Sequence, residues 1–292
     1  MTPPPDRDPL PTCVKDLAPL PDEYLAAVRA GLAAALQGGH FLPAAVLDPW
    51  SRGPGDEGGS EAPPDGLSEV QLEAIGDHVR LLLAWNQAIN LSGIRSPRMI
   101  ARDHVLDSLT AIPLLRRGGI DEFVDLGSGG GYPGLPLAVA LPARRALLVE
   151  SVAKKARFLA VAIDAAGIGD RVAIVADRAE AVAADARHRG RWQAVVARAV
   201  AELSELSELS LPLMRLGGVL VAWKRRPLDE ELDRAEQALH QLGGRLASVE
   251  RVSVPGLEDH VLVVIEKVAE TRPEFPRDPA ARRRHPLRGW PC

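Results

Sequence analysis

The sequence predicts an α/β fold built on a mainly parallel seven-stranded sheet with helices on both faces. A short apolar run, Phe123-Val124-Asp125-Leu126, enters a turn that holds Gly127, Gly129, Gly130 and Gly131. Strand, glycine turn and helix together form the nucleotide-binding opening of an open α/β sheet. Beyond Phe123, strand-like and helix-like stretches alternate, which implies a parallel sheet covered on both sides.

The elements follow in chain order. Residues 1–66 are expected to be a flexible extension rich in Pro and Gly, with one possible helix over Pro21–Leu36 and a linker over Asp48–Gly66. Such an arm is expected to be dispensable for chemistry. Ser68 and Gln71 form a capping box at the start of a helix whose apolar face carries Leu72, Ile75, Val79 and Leu82. A further helix is expected over about 97–115. It carries His104 and Asp107, which share a face at a spacing of three. These two either brace the helix against the domain or contact a ligand pocket. This N-terminal helical segment, 67–117, opens a domain spanning 67–269.

Strands are expected at 122–126, 145–149, 171–176, 193–198, 217–223, 245–252 and 259–267. Helices are expected at 133–141, 152–166, 178–187, 201–214 and 228–242, and Pro255-Gly256 marks a hairpin-like turn. Ligands of such sheets bind beyond the carboxyl ends of the strands. That rule selects Asp125, Glu150, Asp177 and Arg198.

The glycine run admits two nucleotide readings. Gly129 to Gly134 fits the dinucleotide fingerprint G-x-G-x-x-G, which is weak alone. Asp125 to Gly131 fits D-x-G-x-G-x-G, with a carboxylate just before the first glycine. A carboxylate there repels a pyrophosphate and suits an ammonium group, so S-adenosylmethionine is favoured. Glu150, at the end of the second strand, suits the two ribose hydroxyls.

Composition narrows the remaining classes. The chain has 292 residues and a net charge of −4, so any nucleic-acid contact must come from local patches. Cys13 and Cys292 lie at opposite ends, with neither metal-ligand nor disulfide-framework spacing. No metal is expected. There is no signal peptide and no apolar run of ~18 residues, so a cytoplasmic location without membrane contact is expected. Residues 270–292 carry six arginines against three acidic residues. This proline-bearing basic tail is either solvated surface or a hold on phosphate.

If the cofactor is S-adenosylmethionine, the accepting atom can be narrowed. No cysteine is placed for covalent attack on a pyrimidine carbon. The stretch Val195-Val-Ala-Arg-Ala-Val200 lacks the Asn/Asp-Pro-Pro-aromatic loop common where exocyclic amines are methylated. Guanine N7 is an acceptor with no proton to lose, so its methylation needs no general base.

An ordered set of motifs now points to one family. The segments are Trp85-Asn86, Asn90-Leu-Ser-Gly-Ile-Arg95, His104-Val-Leu-Asp-Ser-Leu109, Asp125-Leu-Gly-Ser-Gly-Gly-Gly-Tyr-Pro-Gly-Leu-Pro-Leu137, Glu150 to Leu159, Arg178-Ala-Glu180, Ala197-Arg-Ala199 and Thr271 to Pro279. Together they resemble the bacterial small-subunit rRNA guanine-N7 methyltransferase family, also called the glucose-inhibited division protein B family, over about residues 68–290. The resemblance implies a Rossmann-like class I S-adenosylmethionine-dependent methyltransferase acting on N7 of one guanine in 16S rRNA of the small ribosomal subunit. It implies cofactor contacts at Gly127, Tyr132, Ala179, Glu180 and Arg198, beside Asp125, Gly129 and Glu150 from the loop itself. Glu150 stands where the family more often has Asp. No single catalytic base is assigned, and Arg198 is the candidate for positioning substrate or cofactor. Arg95, Lys224, Arg225, Arg226, Arg282, Arg283 and Arg284 are candidates for RNA phosphates. Two other readings stay open: an NAD-dependent oxidoreductase on the same loop, and a non-catalytic rRNA-binding or assembly factor.

Overall fold

The fold was analysed in a computed structural model that describes residues 10–37 and 67–287. The expected linker at 48–66, the first nine residues, Arg288 and Cys292 lie outside the described residues. The elements run α1 (Asp22–Gln37), α2 (Glu69–Trp85), α3 (Pro97–Ile100), a π-helical segment (Ala101–Leu106), α4 (Asp107–Leu109), α5 (Ile112–Arg117) and β1 (Glu122–Leu126). They continue with α6 (Gly134–Ala140), β2 (Arg145–Val149), α7 (Ala153–Ala165), β3 (Val172–Val175), α8 (Ala179–Ala184) and β4 (Trp192–Arg198). The chain closes with α9 (Leu203–Ser210), β5 (Met214–Arg225), α10 (Asp229–Leu242), β6 (Gly244–Arg251), β7 (His260–Lys267) and α11 (Pro279–Arg284).

The seven strands form one sheet in the order β3-β2-β1-β4-β5-β7-β6. β1 to β5 pair in parallel, and β7 runs antiparallel to both β5 and β6. Period-two alternation sends successive side chains of each strand to opposite faces. Phe123, Ala194, Val196, Val219 and Val221 pack in the layer with α2, α6 and α7. Val124, Leu126, Val195, Leu220 and Ala222 pack in the opposite layer with α9 and α10. The strand order reverses between β1 and β4. A crevice therefore opens there, beyond the carboxyl ends of the strands.

The capping box at Ser68 forms as expected: its Oγ accepts from the Gln71 N–H at 3.3 Å, and Gln71 Oε1 accepts from the Ser68 N–H at 2.9 Å. The helix expected over 97–115 is broken instead. A π segment interrupts it at Ala101–Leu106, and the chain turns at Thr110 and Ala111 before α5. The helix expected at 201–214 ends at Ser210, where a 3₁₀ turn over Leu211–Leu213 leads into a longer β5.

The two terminal segments differ most from expectation. Residues 10–21 and α1 do not form a free arm. Arg80 of α2 gathers the carbonyls of Val14 at 2.8 Å, Leu17, and Ala18 at 2.9 Å. Trp85 Nε1 donates to the Pro11 carbonyl at 2.8 Å. Tyr24 and Val28 of α1 are buried in the core, and Leu10, Val14, Leu17 and Leu20 pack against it. The many prolines shape this segment rather than free it, because Arg80 satisfies carbonyls that proline-rich chain leaves unpaired. At the other end, Arg189 donates to the carbonyls of Thr271, Arg272 and Phe275 at 3.1, 3.0 and 2.7 Å. Phe275 is buried beneath the tail.

Candidate functional site

The site begins with the glycine turn. Gly127, Gly129 and Gly131 take φ of +70°, +55° and +89°, a region that costs any residue with a Cβ. The turn lines a cavity of about 530 Å³ at the reversal of strand order. A Cβ built on Gly129 would meet nothing nearer than the Gly127 carbonyl at 3.7 Å, so it would project into open space. On Gly127 it would meet Val200 Cγ2 at 3.0 Å. The turn is thus a backbone cradle with Gly127, Gly129 and Gly130 in the cavity wall, which fits a ligand held close to main chain. Glu150 sets the cradle's height: its Oε2 accepts from the Gly129 N–H at 2.9 Å and its Oε1 from the Val152 N–H at 2.7 Å.

Opposite the cradle stands Arg198, at the end of β4. Its Nη1 donates to Asp107 Oδ2 and to the Asp103 carbonyl, each at 2.9 Å, and its Nη2 to His104 Nδ1 at 3.0 Å. Asp107 is buried, and its second oxygen, Oδ1, accepts from His260 Nδ1 at 2.8 Å. Trp223 Nε1 donates to the Asp107 carbonyl at 2.8 Å. With Nδ1 accepting from Arg198, His104 carries its proton on Nε2 and donates it to Ser92 Oγ at 2.6 Å. Burial first, and then the Arg198 charge, push His104 down to about 4, so the ring stays neutral. It stacks on Tyr132 with ring centroids 4.7 Å apart, and the Arg198 guanidinium lies 5.4 Å from the same ring.

Two local irregularities support this arrangement. The π segment turns both Asp103 and His104 to the cavity, and π geometry recurs at functional sites. Ala199, also in the cavity wall, holds φ +56°, an uncommon conformation for a residue with a Cβ.

The expected residues divide in three. Gly127, Gly129, Tyr132 and Arg198 line the cavity, and so do His104 and Asp107. Asp125 lies elsewhere. Alternation along β1 points its side chain, like that of Phe123, under α6. It is fully buried there, with Oδ2 accepting from the Gly134 N–H at 3.1 Å. A Cβ on Gly134 would strike this carboxylate at 2.5 Å. Burial pushes Asp125 up to about 7. Ala179 and Glu180 begin α8, and the Glu180 carboxylate is taken by Arg282.

The basic candidates divide as well. Arg225 lines the cavity; Arg95 and Arg226 are exposed, each next in sequence to a lining residue, Ile94 and Arg225. Lys224 lines the cavity too, but its Nζ is bound to Glu231 at 2.5 Å and to the Ala201 carbonyl at 2.8 Å. Arg282 is buried, pairing with Glu180 and, at 3.2 Å, with Glu205. Its charge is consumed inside the fold, so it offers nothing to an external phosphate. Arg283 and Arg284 remain exposed. His260, Trp223, Asp103, Ser92 and Lys155 were not singled out from the sequence. Only the folded sheet brings β5 and β7 to residues of the π segment.

With this geometry in view, comparisons with known proteins are direct. A family model described as rRNA small subunit methyltransferase G matches residues 71–261. Three curated proteins named "Ribosomal RNA small subunit methyltransferase G" illustrate the relation. The one from Roseiflexus sp. is 42% identical, covering 76% of this chain and 94% of its own. That from Roseiflexus castenholzii is 43% identical, covering 72% and 89%. That from Chloroflexus aggregans is 40% identical, covering 76% and 92%. The match spans the cradle, the π segment and the strand ends that build the cavity. The chain belongs to the rRNA small subunit methyltransferase G family.

Proposed function

We propose that this protein transfers a methyl group from S-adenosylmethionine to N7 of a guanine in the 16S rRNA of the small ribosomal subunit. The relatives' name supplies the RNA and the reaction class. One observation carries the choice of atom: both carboxylates of the cavity are already spent on arginines. Asp107 is bound by Arg198, and Asp103 by Arg102 at 2.5 and 3.1 Å. His104 has both ring nitrogens engaged. No free base stands ready, and N7 needs none.

When bound, the cofactor supplies a methyl group on a sulfonium centre. This chain's residues supply position. The glycine cradle admits the ligand to main-chain contact, and Glu150 keeps acceptor capacity toward ribose hydroxyls beyond its two backbone bonds. The adenine end is assigned to the α8 side, near Ala179 and Glu180. Arg198 has five N–H donors, and those not bound to Asp103, Asp107 and His104 are free for a base edge or a carboxylate. Rate enhancement then comes from alignment of two reactants in a fixed frame.

The test is transfer of labelled methyl from S-adenosylmethionine to small-subunit rRNA, followed by cleavage chemistry specific for 7-methylguanosine. Label at one guanine that is cleaved is expected. Label on a different atom removes the N7 assignment, and absence of label from RNA removes the substrate.

A further inference from the structure

A second cavity, of about 410 Å³, lies on the other side of the π segment. Consecutive residues divide the two: Asp103 lines the first and Arg102 the second. Its wall is apolar and includes Ala30 and Gly31 of α1, Leu106 and Val254. Gly31 packs directly on Leu106, whose side chain a Cβ there would strike. Gly256, at φ +85°, makes room for the Arg102 guanidinium, which a Cβ there would approach to 2.8 Å.

Two cations and a thioether also line this apolar cavity. Arg98 is exposed and forms no ion pair with any described residue. Met99 beside it is 47% exposed. Arg102 is held flat against Asp103 by two hydrogen bonds, leaving a guanidinium plane half open to solvent. Unstacked RNA bases are bound by apolar and guanidinium faces of this kind, with arginine on the adjoining phosphate. The lining itself holds no acidic residue; Arg102 is paired with Asp103 outside it, and Arg98 is left as the charge open to an incoming phosphate.

We propose that this second cavity is a nucleotide subsite. It would take a nucleotide neighbouring the methylated guanine, with its base against the apolar wall and its phosphate on Arg98. The inference rests on the RNA substrate proposed above. It goes beyond that reading because α1, which supplies part of the wall, precedes the family match at residues 71–261. The RNA contact would therefore extend outside the family's shared region.

The experiment uses the full chain and small-subunit rRNA, with binding measured at several salt concentrations. Arg98→Ala should weaken binding by ~10-fold and lower the salt slope by about 0.7, the loss of one single-strand phosphate contact. Ala30→Trp, which fills the cavity, should weaken binding with the slope unchanged. Arg215→Ala serves as a control, since that exposed arginine sits at the far end of β5. Thermal melting confirms that each variant folds, and Arg98→Ala alters only an exposed side chain. Wild-type affinity and slope in Arg98→Ala would overturn the subsite. So would equal losses in Arg98→Ala and Arg215→Ala, which would indicate a diffuse field. If wild-type protein methylates rRNA and the variants bind normally, the subsite alone fails. If wild-type protein neither binds nor methylates rRNA, the substrate reading fails and takes the subsite with it.

Discussion

Arg198 is a cation whose direction is fixed before any ligand arrives. Three groups hold it, and one of them, Asp107, is itself held from behind by His260. A lysine carries the charge but has no planar fork to satisfy Asp107 and His104 together. Arg198→Ala should lower methyl transfer at saturating RNA by at least ~10-fold, about 1.4 kcal/mol, and Arg198→Lys should recover little of it. Single-turnover rates decide the matter: near-wild-type rates in both variants would remove Arg198 from the site. His260→Phe should leave a buried carboxylate oxygen unpaired, at a cost of roughly 1–3 kcal/mol, while His260→Asn retains a donor and should recover part of it. Denaturant unfolding of the two variants measures the difference. The sequence made Arg198 visible, because strand ends are where ligands bind. It hid His260, 62 residues further on, because nothing local marks which histidine will face a buried aspartate across two strands. Asp125 shows the opposite error. It precedes the glycines, yet alternation along β1 turns it under α6 and away from the cavity.

At the scale of elements, legibility followed locality. The glycine turn, the capping box and the strand alternation depend on residues a few positions apart, and each was readable. The π segment was not, since a one-residue widening of a helix leaves the apolar periodicity nearly unchanged. The helix expected over Pro21–Leu36 forms as α1, but the packing of residues 10–37 against the core was misread for a different reason. Proline content suggested an arm, but the leucines at 10, 17 and 20 and the buried Tyr24 and Val28 anchor this stretch to α2 and the π segment. Removal of residues 1–66 should therefore destabilise the protein. Loss of the burial of Tyr24 and Val28 alone represents roughly 3–6 kcal/mol at ~1.5–3 kcal/mol per fully buried side chain. Chemical denaturation of the truncated and full-length chains tests this. Equal midpoints with full methyl transfer would show the segment to be ornament.

At the scale of the whole molecule, buried titrating groups pull stability in opposite directions. His78 and His104 are both pushed down to about 4 by burial. Their contribution is present above the unfolded value of about 6.5 and is lost as pH falls toward 4. Asp125 is pushed up to about 7, also by burial. Its contribution is complete below the unfolded carboxylate value of about 3.9 and is lost as pH rises through 7. Asp125→Asn removes that second loss. Relative to wild type, the variant should gain stability between pH 4 and pH 8, with a ceiling of roughly 4 kcal/mol for a shift of that size. Urea unfolding across this range reads the slope, and a difference that does not change with pH would contradict the buried ionisable carboxyl.

The strand order carries a consequence for how the chain is made. β7 lies between β5 and β6 and is the one inverted strand, so the edge strand β6 has no partner in the sheet until β7 arrives. Arg277 then binds both oxygens of the buried Glu208, and Arg282 reaches back to Glu180 on α8. During synthesis the N-terminal part leaves the ribosome first and folds first. Here the sheet's fifth strand waits with an open edge for residues that are still being joined. The cofactor cradle can form early, but its sheet is closed only after β7, the last of the seven strands in chain order, has been made. A product of the ribosome that is proposed to modify the ribosome therefore makes its glycine cradle well before the strand that completes its sheet.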